Sequence, residues 1–142
     1  MIRKTLTILA VSCMMYSCGT KTESNPFFTE FQTEYGVPSF DKIKLEHYEP
    51  AFDVALAEAR ADIEAIARNP EPPTFDNTIV ALERSGNRLN SVATIFFALQ
   101  SAETSDEMDA IAERLQPKLV EYSNDIYLDP VIFQRVKMTG SR

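Results

Sequence analysis

After Phe40 the apolar residues recur at intervals of three and four, and no stretch alternates apolar with polar over more than a few positions. A period near 3.6 marks amphipathic helices and a period of 2 marks strands, so this chain can build helices and little else. The first stripe is Phe52, Leu56, Ala59, Ile63, Ile66 and Ala67. It predicts a helix that begins near Pro50, where a missing N–H is tolerated, and stops at Asn69 before Pro70. A second stripe runs through Ile79, Leu82, Leu89, Val92, Ile95, Phe96 and Leu99, interrupted or kinked at Gly86. A third takes in Met108, Ile111, Leu115, Leu119, Tyr122 and Ile126 and is expected to bend at Pro117. Thr104 or Ser105 caps it, with Glu107 placed three after Thr104 as in a capping box. A last short helix starts with Asp129 as cap and Pro130 as its first residue. Each stripe is about one face wide, so each helix has to bury that face on another helix or another domain. The expected fold is therefore all-α, an array of helical hairpins, and no fixed-period repeat points to a solenoid.

The most heavily punctuated stretch is PEPPTFDNTIVALERSG, Pro70 to Gly86. Prolines stop one helix, Thr74 and Asn77 offer caps for the next, and Phe75 is placed to pack ahead of Ile79 and Leu82. This is a corner that aims one helix against its neighbour.

At the other end, MIRKTLTILAVSCMMYSCG joins two basic residues, Arg3 and Lys4, to an apolar run from about Thr5 to Tyr16. That is the layout of a secretory signal, and the run is shorter than the roughly 20 residues a bilayer crossing needs. MYSCG resembles the lipobox of bacterial lipoproteins, which makes Cys18 the acylated residue, with AVSC at Cys13 as a competing match. Acylation at Cys18 implies export and a membrane anchor in the bacterial cell envelope. The expected organisation is a signal over 1–17, a tether and extended aromatic segment over 18–39 closed by Gly36 and Pro38, and a helical domain over 40–142. Both cysteines fall at the signal, so a disulfide framework is excluded.

Removing the signal leaves 12 basic against 21 acidic side chains. Such a chain has no basic face for phosphates, which excludes nucleic acid as a partner. Catalytic patterns are missing too. His47, the single histidine, has Glu46 and Glu49 near it, but zinc needs three or four ligands, and the residue reads as a histidine ordering a helix start. The four glycines never cluster into a phosphate loop, and no serine sits in a nucleophile elbow. Glu58, Asp62 and Glu64 read as a solvated helix face, and Phe96 and Phe97 as core.

Taken together, VPSFDKIKLEHYEPAF, IEAIARNPEPPTFDNTIVALERSG, FFALQSAET and YSNDIYLDPVIFQRVK, in this order, resemble the start of the M3 family of zinc metallopeptidases, in its peptidyl-dipeptidase and oligopeptidase branches. The resemblance implies a mostly helical, clamshell-like peptidase. In that family zinc is held by an H-E-x-x-H helix and a downstream glutamate, and short peptides are cleaved. None of those ligands occurs in this chain, so no catalytic or metal residue is carried over, and the zinc would belong to a missing C-terminal catalytic domain. The expectation is an N-terminal piece of a lipoprotein peptidase, cut short after Lys137 and inactive alone. The alternative is a small membrane-tethered helical module that binds a partner without enzymatic activity.

Overall fold

A computed structural model describes residues 25–31, 33 and 36–140. The signal, Cys13 and Cys18 lie outside the described residues. Helix α1 spans Tyr48–Ala67, α2 Ala81–Arg84, α3 Asn87–Ala102, α4 Asp106–Tyr127 and α5 Pro130–Thr139, with a π-helical turn, Phe75–Val80, leading into α2. No strand occurs among the described residues, and the all-α array expected from periodicity is what forms.

Helix α1 lies at the centre. Its inward face carries Ala51, Ala55 and Ala59 at four-residue spacing between Phe52 and Leu56, all buried. Small residues in one row let neighbouring helices approach closely, while the larger ones fill the space between them. Helix α3 packs antiparallel to α1, since Phe96 meets Tyr48 and Phe52 near one end while Gly86 meets Asp62 near the other. Helix α4 runs parallel to α1. Glu49 pairs with Arg114, Asp53 with Lys118 and Arg60 with Asp125, each pair separated by 65 positions, so the two helices advance together.

The core is aromatic at its centre. Phe96 stands edge-on to Tyr48 at 4.9 Å and to Phe52 at 5.7 Å between ring centroids. Phe27, from the segment expected to be extended, forms a short 3-10 turn with Phe28 and reaches the same cluster 5.6 Å from Tyr48. A smaller core of Ile63, Ile66 and Ile132 joins the end of α1 to α5.

Several local expectations are refined. The π turn places Thr78, rather than Phe75, in the interior: Thr78 is wholly buried and Phe75 is 65% exposed. One extra residue in the turn, with the Ala81 N–H donating to the Asp76 carbonyl, rotates the face by one position. Thr74 is the cap and Asn77 its reciprocal partner, at 3.1 Å and 2.8 Å. Gly86 interrupts the second stripe outright, at φ 67° between α2 and α3, and a Cβ there would stand 3.1 Å from the Tyr122 hydroxyl oxygen. Ser105, not Thr104, caps α4 by accepting from the Met108 N–H at 3.2 Å, so the Thr104–Glu107 box does not form. Helix α4 is continuous through Pro117, which sits on the exposed face, where water can satisfy the carbonyl freed one turn earlier.

Candidate functional site

His47 is buried and occupied. Its Nδ1 accepts from the Lys44 N–H at 3.0 Å, and its carbonyl accepts from the Asn25 Nδ2 at 2.7 Å. The neighbouring Glu49 turns the other way, where the Arg114 guanidinium takes both carboxylate oxygens at 2.9 Å and holds the carboxyl below its ordinary range. Glu58 binds Arg88 at 2.7 Å, Asp62 accepts the Gly86 N–H at 3.2 Å, and Glu64 pairs with Arg68 one turn on at 2.6 Å. Glu49 and Glu58 tie α1 to α4 and α3, Asp62 receives the N–H at the head of α3, and the Glu64–Arg68 pair stays within the end of α1. Among the described residues no three histidine, cysteine or acidic side chains converge on a point that could hold a metal ion. The donor set among the described residues does not fit zinc.

Burial raises the titration of Tyr48 and Tyr122. Tyr48 is a ring in the aromatic core, and Tyr122 closes over Gly86 and hydrogen-bonds Ser85.

One functional-looking residue was not legible from the sequence. Arg135 on α5 is 7% exposed and pairs with no carboxylate among the described residues. Its Nη1 donates to the Asn69 carbonyl at 2.9 Å, its Nη2 approaches the Asn77 Oδ1 at 3.3 Å, and its Nε has no hydrogen-bond partner. It stitches α5 to the proline corner, and its place three after Ile132 on the inward side of α5 is the only signal that could have exposed it.

A further surface feature lies at the α4–α5 corner. Tyr127 is 81% and Leu128 77% exposed, and Val131, Phe133 and Val136 on α5 are exposed as well. Beside Val131 runs a shallow groove of about 460 Å³ floored by Ile63, Ala67 and Ile126, with Arg60 and Asp125 at its rim. An apolar floor with a charged rim suits packing against another apolar surface.

The chain is 45% identical over 121 residues to dipeptidyl carboxypeptidase of Escherichia coli K12, a match covering 85% of this chain and 18% of that protein. It is 32% identical over 100 residues to oligopeptidase A of Salmonella typhimurium, covering 70% of this chain and 14% of that one. This chain belongs to the M3 peptidase family. The dipeptidyl carboxypeptidase of Salmonella typhimurium is similar as well, 43% identical over 113 residues, with 80% of this chain and 17% of that protein covered. This M3 chain therefore spans under a fifth of the length of these curated relatives. No protein-family model matches it. The helices described above are those of the family's N-terminal part.

Proposed function

We propose that this chain supplies the N-terminal helical unit of a zinc-dependent M3 peptidase that degrades short peptides, releasing dipeptides as the relative's name describes. The unit acts by packing, and the zinc and the groups that attack the peptide bond belong to a catalytic body outside these residues. The observation that carries this reading is the 45% identity to dipeptidyl carboxypeptidase over 121 residues. In this reading the chain is exported and acylated at Cys18, which holds the peptidase at a membrane of the bacterial cell envelope.

The test is a hybrid in which residues 25–140 replace the matched segment of the Escherichia coli dipeptidyl carboxypeptidase. The hybrid is expected to release dipeptides from short peptides within about tenfold of the parent rate, while this chain alone releases none. A folded hybrid with no activity, or metal-dependent dipeptide release by the chain alone, overturns the assignment. Cys18→Ser is expected to move the exported protein out of the detergent-soluble membrane fraction.

A further inference from the structure

The exposed apolar side chains are unevenly distributed, and α5 shows what the uneven part is for. Ile132 and Arg135 mark the inward side of this helix. At 3.6 residues per turn, Val131 then falls on one flank and Val136 and Phe133 on the other, leaving Gln134 and Lys137 as a narrow polar ridge between them. A surface helix normally keeps one apolar stripe, and a helix apolar on most sides is one that is enclosed. Tyr127 and Leu128 extend the apolar surface around the corner from α4, and the groove over Ile63 and Ile126 continues it beyond Val131.

We infer that the α4–α5 corner and both flanks of α5 form the seam on which the catalytic body of the M3 peptidase packs through an apolar helical surface of its own. This rests on the function proposed above and adds to it the face that is used. Two facts select this occupant. The relatives carry more than four-fifths of their length outside the matched segment, so a body large enough to enclose a helix accompanies this unit in them. A second copy fits poorly, because a two-fold contact covers one patch, whereas the two flanks of α5 face apart and the chain carries a net charge of −7 that repels its like.

Hydroxyl-radical footprinting tests the seam. In the isolated chain Tyr127 and Phe133 are expected to oxidise readily, and in the hybrid with the Escherichia coli enzyme their oxidation is expected to fall about tenfold while that of Phe40, at the far end of the bundle, stays unchanged. A hybrid that releases dipeptides but leaves Tyr127 and Phe133 as reactive as in the isolated chain overturns the seam and leaves the proposed function standing. Protection without dipeptide release supports the seam and counts against the function. Protection that grows with the concentration of the isolated chain assigns the face to a second copy and overturns the proposal. A further check needs no hybrid. The isolated V131E/F133E double variant is expected to keep its helical circular dichroism and a melting temperature within about 3 °C of the parent, and loss of helix would show that these side chains serve the unit's own core, which also overturns the proposal.

Discussion

Phe96 offers the sharpest test of how this bundle is held together. Its side chain is wholly buried, with Tyr48, Phe97 and Phe52 around it at 4.9, 5.1 and 5.7 Å between ring centroids. Truncation to alanine removes the transfer free energy of the ring and leaves a cavity, together about 3–5 kcal/mol for buried phenylalanine. Edge-on aromatic pairs add about 0.5–1.5 kcal/mol each beyond burial, and losing three places Phe96→Ala near the top of that range, at about 5 kcal/mol. Phe97 is only half-buried and touches one ring of the cluster, Phe96 itself. Its truncation therefore costs about 1–2 kcal/mol. A domain of this size holds about 5–15 kcal/mol in all, so Phe96→Ala sits near the limit of folding while Phe97→Ala does not. Urea unfolding followed by circular dichroism at 222 nm measures both, and a common slope across variants licenses the comparison. A Phe96→Ala cost under about 2 kcal/mol, or one equal to that of Phe97→Ala, refutes the placement of the core.

Arg135 carries its buried charge without a carboxylate, so Arg135→Met, which keeps the volume and sheds the charge, is expected to cost less than Arg135→Ala by about 1–2 kcal/mol in the same urea assay; equal costs would show that the hydrogen bonds to Asn69 and Asn77 dominate. Gly86→Ala is expected to cost about 1–2 kcal/mol from the positive φ alone, plus the contact with the Tyr122 hydroxyl. In a double-mutant cycle Tyr122→Phe should recover only the contact part, and full recovery would mean the backbone at Gly86 is unstrained. Glu49 titrates lower when folded, held by Arg114, so its contribution is complete above its ordinary value of 4.5 and is lost as pH falls through the folded value. The melting temperature of Glu49→Gln should accordingly fall less steeply than the parent's on acidification below that point, and parallel curves would contradict the pairing.

What the sequence disclosed and what it hid divide along a physical line. The caps were legible because capping is local: Thr74 and Asn77 lie three apart and satisfy each other's N–H groups whatever surrounds them. The stripes of α1, α3 and α4 were legible because burying one face of a helix forces a period. The side chain that the proline corner buries was not, because the residue that enters the core depends on whether the turn closes over four or five positions, and the π turn substitutes Thr78 for Phe75 through a single additional residue. The ion pairs between α1 and α4 were hidden for a related reason. Their common offset of 65 positions is a property of how two helices slide against each other, and nothing local records it. Arg135 was hidden because an arginine on a helix usually reaches water, and only the three-dimensional approach of the Asn69 and Asn77 oxygens makes the inward position tolerable.

The candidate surface follows the same logic in reverse. Among the described residues no set of ligand-type side chains converges, and His47 and Glu49 are engaged by Lys44 and Arg114. Asking instead how many sides of each helix are apolar separates α5 from the others, because α1 buries its apolar face at home while α5 leaves Val131, Phe133 and Val136 in water. Apolar surface kept exposed on two flanks of one helix costs solubility and gives this unit no stability of its own, which is the cost that the inferred seam would offset. That is why the functional information in this chain sits in a face rather than in a set of reactive groups, and why Phe133, rather than His47, is the residue whose environment should change most when the peptidase is assembled.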